Sequence, residues 1–353
     1  MGLFFGKLKY YGVRLAVALV SIYIALFLAA IVLWRMEPKQ YLSEMYRDLY
    51  NVKDGRATLK PGYYRSFGEG SARGEVRVNS YGYRGHEPSP NPKWRVLLLG
   101  DSFTFGALLD QKETIDARME AKEPGIEVDN LGVIGYNLPE QLAPLREWKL
   151  PANQAVYLFF YNDFEAPREL RLVNGYAVPR LRPDGAPISD EEARAMSEKM
   201  AKGSPDLHAF RLFSSVPLPR VRRVIRDAYE RFRNRHSSVP TNWWPHEKEQ
   251  TKLVPRSLGY TIEMRDIAAA RNMGFQIAII PGVEEVREGK HLPLVTEYIA
   301  GLKAAGIQVI DLLPKLSVND YWSYDPHFNP KGAQIAADEI YKALKDSRLQ
   351  VRR

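Results

Sequence analysis

The sequence predicts an α/β fold: a three-layer α/β/α sandwich on a mainly parallel sheet, with one N-terminal transmembrane helix and a helical insertion. Three observations carry this expectation. Short apolar runs bounded by charge or glycine alternate with stretches of helical period between Val96 and Leu344. A charge-free run from Leu15 to Trp34 precedes them. A stretch rich in proline, arginine and aromatics, 164–258, interrupts the alternation.

In chain order, the run from Leu15 to Trp34 is about 30 Å long as a helix, enough for a bilayer core. Lys7, Lys9 and Arg14 precede it, while Arg35, Glu37 and Lys39 leave little net charge after it. That asymmetry predicts a single pass through the cytoplasmic (inner) membrane, with the N-terminus in the cytoplasm and the remainder periplasmic or extracellular. The alternative is a cleaved signal peptide, but the run is longer than an ordinary h-region and no small-x-small site follows it, so an uncleaved anchor is expected. The expected divisions are a tail and anchor over 1–36, a juxtamembrane linker over 37–77, a first domain part over 78–163, the insertion over 164–258, a second domain part over 259–346 and a basic tail over 347–353. Residues 78–85 alternate turn formers and aromatics and predict a short hairpin or lead-in loop.

The core alternation then begins. Strands are expected over 96–99, 126–131, 155–160, 275–280 and 307–312. Helices are expected over 112–122, 138–148 (Pro139 in the first turn), 260–273 (ended near Gly274), 294–304 and from about Ala333, where Ile335, Ala336, Ile340, Tyr341 and Leu344 form an apolar stripe. Within the insertion, 191–202 reads as a helix with Ser189 or Asp190 as N-cap. Val221, Ile225, Ala228, Tyr229 and Phe232 recur at helical spacing among seven arginines between Arg220 and Arg235. That pattern predicts a basic amphipathic helix, either facing an anionic lipid or glycan or simply carrying a solvated face.

The chain has 353 residues, 45% of them hydrophobic, and a formal net charge of +8. It has no cysteine, which excludes disulfides, thiolate catalysis and cysteine-ligated zinc. His208, His236, His246 and His291 lack metal-ligand spacing, so neither a metal nor a cofactor is expected. Nucleic acid is not expected as a partner.

Four segments carry chemistry. Gly100-Asp101-Ser102-Phe103 directly follows the first apolar strand, which places Ser102 at the carboxyl edge of the sheet, where open α/β sheets put their chemistry. Asp101 is positioned to cap the helix that follows. Asn130 to Asn137 and Phe160-Tyr161-Asn162-Asp163 each follow a strand and offer compact donors, the N–H of Gly135 and the amide of Asn162, of the kind acyl transfer needs at a developing oxyanion. Asp325-Pro326-His327 lies in a proline-rich loop before the last helix. His327 is the candidate base for Ser102, and Asp325 its candidate orienter, with Asp311 and Asp320 as fallbacks. Asp163 is expected to fix its loop rather than to act as a base.

These segments, in this order, resemble the signature blocks of the SGNH hydrolases, the GDSL esterase/lipase superfamily. The resemblance covers roughly 78–344, and with the anchor it is closest to the membrane-anchored bacterial branch that modifies cell-envelope polysaccharides. It implies a flavodoxin-like sandwich, a catalytic triad of Ser102, His327 and Asp325, and an oxyanion hole of Ser102, Gly135 and Asn162. Two departures stand out: Phe160 replaces the glycine of the third block, and Asp325-x-His327 is one residue shorter than the usual last block. The implied activity is removal or transfer of O-acyl groups, acetyl foremost, on an envelope glycan or another ester substrate. The resemblance also implies an integral membrane O-acyltransferase as a possible partner. The alternative is a non-catalytic binding or assembly subunit that keeps the fold.

Overall fold

The computed structural model describes residues 11–15, 17–25, 49–69, 72–164, 170–174, 176–180, 187–202, 247–322 and 325–351. The chain divides into two compact units, Met1–Lys39 with Lys199–Ser238, and Gln40–Glu198 with Val239–Arg353. In the first unit, residues 11–15 and 17–25 are helical with exposed side chains. No helix among the described residues is long and apolar enough to cross a membrane. The rest of the run from Leu15 to Trp34 lies outside the described residues, as do the arginine-rich pattern of 220–235 and His208, His236 and His246.

The second unit opens with β1 (Tyr50–Lys53), β2 (Arg56–Leu59), β3 (Tyr64–Glu69) and β4 (Ala72–Arg77), paired as two antiparallel hairpins. This corrects the expectation of a linker up to residue 77. The hairpins bury Leu59, Phe67, Val76 and Val78 against Phe105, Leu108, Val133 and Tyr136, so they belong to the same folded unit.

The central sheet follows. β5 (Trp94–Gly100) leads into α1 (Ser102–Phe105), then α2 (Ile115–Glu120), β6 (Ile126–Asn130), α3 (Leu138–Glu147) and β7 (Gln154–Phe159). The insertion supplies a third hairpin, β8 (Leu170–Val173) with β9 (Tyr176–Pro179), and α4 (Asp190–Lys202). Ser189 caps α4 reciprocally: its Oγ accepts from Glu192 N at 3.2 Å, and Glu192 Oε2 accepts from Ser189 N at 3.0 Å. α5 (Glu247–Ala270) begins well before the expected boundary at 258 and carries Pro255 inside it. The chain then forms β10 (Gly274–Ile279), α6 (Val283–Glu288), α7 (Pro293–Ala304), β11 (Gln308–Asp311) and α8 (Pro330–Val351).

The five-stranded sheet has the order β11-β10-β7-β5-β6, and every pairing in it is parallel. Both faces are covered, which is why the strands read as continuous apolar runs. Val96 and Leu98 point to the side of Ile115, Met119, Ala336 and Ile340, on α2 and α8. Leu97 and Leu99 point to the side of Leu142, Leu145, Met264 and Leu302, on α3, α5 and α7. After β5 the chain turns to β6 on one side and then to β7 on the other. The carboxyl ends of these three strands therefore frame a topological switch point, the usual ligand crevice of open α/β sheets.

At the far side of the same edge, His291 ties three segments together. Its Nδ1 lies 3.0 Å from Glu285 Oε1 and its Nε2 3.0 Å from Asp311 Oδ1. Glu285 also accepts from Gly282 N at 2.6 Å and Leu292 N at 3.0 Å. Burial opposes the charged imidazole, but the bonds to Asp311 and Glu285 outweigh it and raise the His291 pKa to about 9. A folded-state pKa above the unfolded value adds stability that is complete below about pH 6.5 and is lost as pH rises through about 9. We expect His291→Gln to cost on the order of 2 kcal/mol at pH 6, allowing for the solvent around Asp311, with the deficit shrinking towards pH 10. Denaturant titration at both pH values reads this, and a pH-independent deficit would contradict the assignment.

Candidate active site

Ser102 is the first residue of α1, directly beyond the end of β5. The turn into it depends on Gly100. With φ at +150°, a Cβ there would stand 2.0 Å from Thr104 Oγ1 and 2.9 Å from Leu158 O, so only glycine lets the helix fold back against β7. Asp101 caps α1, its Oδ1 accepting from Phe103 N at 2.9 Å. The other end of this one-turn helix is held by Arg84, which is fully buried and donates to Phe105 O at 3.0 Å, Gly106 O at 2.6 Å and Leu109 O at 2.6 Å. Its second hold is on β4, through Glu75 O at 3.0 Å. Burial lowers the Arg84 pKa to about 10, so the side chain stays charged at neutral pH. Sequence reasoning missed this residue. An arginine in a loop is usually solvated, and no pattern marks one that closes a helix C-terminus.

His327 reaches Ser102 from the loop before α8. Its Nε2 lies 2.7 Å from Ser102 Oγ, while its Nδ1 lies 2.5 Å from Asp325 Oδ1. The same Asp325 oxygen accepts the His327 backbone N–H at 2.9 Å. The shortened spacing thus forms a tight turn in which one carboxylate oxygen fixes both the backbone and the ring of the residue two positions on. With Nδ1–H donated to Asp325, Nε2 is free to accept from Ser102. Burial disfavours the Asp325 carboxylate, but its bonds to His327 prevail and hold it below the usual range.

The loop carrying this pair is braced from both sides. Trp322 N donates to His327 O at 3.0 Å. Asn329 donates to Asn319 O at 2.8 Å and caps α8 by accepting from Lys331 N at 2.9 Å. The Phe103 ring centroid stands 4.9 Å from that of His327, 4.6 Å from Phe160 and 5.0 Å from Phe328. Phe160, where the third block of the resemblance has glycine, is therefore part of the aromatic platform behind the imidazole.

Asn162 and Asp163 lie in the turn that follows β7. The Asn162 side chain adjoins Asp101 and favours its charged form. Ser102 Oγ also lies 3.3 Å from Asp101 Oδ2, a longer contact than the one to His327. Burial raises the Asp101 pKa, although the Phe103 N–H, His327 and Asn162 pull it back. Asp163 is completely buried; its Oδ2 accepts from Tyr157 OH at 2.8 Å and Phe160 N at 3.0 Å. Burial, and then the nearby Asp101 charge, push its pKa well above the usual carboxylate range.

Gly135 lies in the turn between β6 and α3 with φ at +79°, in the left-handed region, and it is exposed. Its N–H has no acceptor among the described residues. No hydrogen bond joins it to Ser102; what ties its turn to β5 is Val133 N donating to Gly100 O at 3.1 Å. The fallback carboxylates are not near His327: Asp311 holds His291, and Asp320 accepts from Ser317 N at 2.7 Å and pairs with Lys331 at 2.7 Å. Among the described residues no group of three or more His, Asp or Glu is placed to hold a metal ion.

No family model matches this sequence, and no curated protein matches it. Among solved structures, the chain is similar to a member of the lipolytic G-D-S-L family from Veillonella parvula, at 10% identity and TM-score 0.37, over 70% of this chain and 97% of that one. It is also similar to a GDSL-like lipase from Bacteroides thetaiotaomicron, at 13% identity and TM-score 0.37, over 74% of this chain and 93% of that one. A third is a carbohydrate acetylesterase from Sinorhizobium meliloti, at 10% identity and TM-score 0.36, over 72% of this chain and 99% of that one.

Burial and the neighbouring Asp101 charge both disfavour the ionised form of this carboxyl group. Asp163→Asn keeps an acceptor for both Tyr157 OH and Phe160 N and removes a group whose proton uptake opposes folding at neutral pH. We expect thermal unfolding at pH 7 to show Asp163→Asn as stable as the parent or more so. Asp163→Ala strands two buried donors and is expected to lose roughly 1–3 kcal/mol for each. A large loss in Asp163→Asn would show that the carboxylate is charged.

Proposed function

We propose that the chain is a serine esterase that removes or transfers O-acyl groups through an acyl-serine intermediate. The observation that carries this reading is the unbroken hydrogen-bonded chain Ser102–His327–Asp325 at the switch point of the sheet. A serine hydroxyl is a poor nucleophile until a positioned base takes its proton, and a carboxylate on the far ring nitrogen fixes the tautomer and stabilises the imidazolium.

The steps follow from these atoms. Ser102 Oγ attacks the ester carbonyl carbon as its proton passes to His327 Nε2, and the carbonyl π electrons move to the oxygen. The oxyanion is met by the N–H of Ser102, the N–H of Gly135 and the side-chain amide of Asn162. The amide nitrogen has two N–H groups, so one can face the neighbouring Asp101 while the other faces the oxyanion. On collapse, the alkoxide leaves with the proton from His327. The oxygen of water, or of a second hydroxyl, then attacks the acyl carbon as its proton passes to His327; on collapse the bond to Ser102 Oγ breaks and Oγ takes that proton back, regenerating Ser102.

The substrate class we propose is an O-acetylated glycan of the cell envelope. The charge-free run from Leu15 to Trp34 supports single-pass anchoring in the cytoplasmic membrane with the catalytic unit outside, and the net charge of +8 suits an anionic surface or polymer. An integral membrane O-acyltransferase is the partner this arrangement would use. A β-lactamase fused after Arg353 tests the topology: resistance of a Gram-negative host to ampicillin is expected, and sensitivity would place the catalytic unit in the cytoplasm. The non-catalytic alternative has no observation in its favour, because all the groups needed for acyl transfer are retained.

Catalysis is tested with p-nitrophenyl acetate and fluorophosphonate labelling. Ser102→Ala and His327→Ala are expected to abolish labelling and to lower kcat by roughly 10⁴-fold or more, and Asn162→Ala by roughly 10²–10³-fold. Labelling that persists in Ser102→Ala, or a folded parent that neither labels nor turns over, would overturn the proposal.

A further inference from the structure

Away from Ser102, but on the same unit, β1, β2 and the 81–83 loop face the C-terminal half of α3 across a cavity of about 390 Å³. That volume falls within the roughly 300–1,000 Å³ of ordinary small-ligand clefts. Its walls bring together three tyrosines, two cations and one carboxylate: Tyr81, Tyr83, Tyr136, Lys53, Arg56 and Glu147.

The charges do not balance. Lys53 Nζ lies 3.2 Å from Glu147 Oε2, and the Arg56 guanidinium pairs with the other oxygen of the same carboxylate. Among the lining residues Glu147 is the only acid, so one positive charge is left facing the cavity. Arg56 is held in place as well, its Nη1 donating to Tyr136 OH at 3.3 Å, and its side chain is only 12% exposed. A fixed guanidinium is suited to a carboxylate, which matches its fork of donors. Beside it, Tyr81 presents a 43% exposed ring braced at 5.4 Å by the buried Trp148. Rigid, amphipathic tyrosine faces of this kind provide contact area at little entropic cost.

One turn serves both the cavity and the proposed oxyanion hole. Val133 and Tyr136 line it, and Gly135 lies between them in the same turn, which hydrogen-bonds back to Gly100 at the root of Ser102.

From this juxtaposition we infer that the cavity is a binding subsite for a carboxylate-bearing sugar unit of the substrate, next to the unit whose ester is cleaved. The inference rests on the esterase reading for its purpose, but its test does not need activity. The full chain with Ser102→Ala is titrated calorimetrically at low salt with tetragalacturonate and with xylotetraose as the neutral probe. Tetragalacturonate is expected to bind at least about tenfold tighter than xylotetraose, and Lys53→Gln with Arg56→Gln to remove that preference. Lys53→Gln alone changes a 57% exposed side chain, so it leaves folding intact, and it is expected to weaken the acidic oligomer only. Tyr81→Ala is expected to weaken both oligomers. No binding of tetragalacturonate at millimolar concentration, equal affinity for xylotetraose, or unchanged affinity in the charge variants would overturn the inference. A failure of fluorophosphonate labelling alongside charge-dependent binding would instead count against the esterase reading and leave the subsite standing.

Discussion

The contact between His327 and Ser102 is the one on which the rest of the site depends. It joins residues 225 positions apart, so it forms only when the sheet, the lead-in hairpins and the last helix are all in place. Each end has its own scaffold. On the serine side, Gly100 permits the turn out of β5, Asp101 caps the one-turn helix and Arg84 closes its C-terminus. On the histidine side, Asp325 fixes the ring, Trp322 holds the backbone and Asn329 starts α8 where the loop must end. A hydrogen bond between neutral partners contributes little by itself, about 1 kcal/mol. The geometry is therefore set by the packing and capping around it, not by that bond alone.

The electrostatics of the site separate three carboxyl groups by environment. Asp325 is partly exposed and bonded to an imidazole, and it stays ionised below its ordinary range. Asp163 is sealed in the core beside Asp101, and its charged form is disfavoured. Asp101 stands between these extremes, raised by burial but supported by Phe103 N, His327 and Asn162. Two neighbouring buried carboxylates cannot both hold a full charge cheaply. Asp101 thus adjoins both Ser102 and His327.

Much of the sheet was legible in the sequence because its strands are buried on both faces. Val96 to Leu99, or Ala155 to Phe159, can hardly be anything but internal strands. The lead-in hairpins were not recognised, although Asp54-Gly55, with φ of 51° and 76°, carries the standard hairpin-turn signal. Their strands of four and six residues hold too few apolar positions to stand out beside the core runs. Pro255 concealed the first turns of α5, since proline usually ends a helix. At the site, residue identity and chain order pointed to Ser102, His327 and Asp325. The sequence did not show why a shortened spacing works, which is that one Asp325 oxygen serves both the backbone and the ring of His327. Nor did it show that Phe160 supports the imidazole through Phe103. Both depend on where a side chain points, which no linear pattern encodes.

The central claim is that Ser102, activated by His327, carries the acyl group between the two half-reactions. The most direct measurement is acid quench of the full chain during turnover of p-nitrophenyl acetate, followed by mass spectrometry of its peptides. The account predicts one added acetyl group, on the peptide containing Ser102, lost on continued incubation and absent from His327→Ala. An acetyl group on another residue, or turnover by a Ser102→Ala chain at the parent rate, would contradict it.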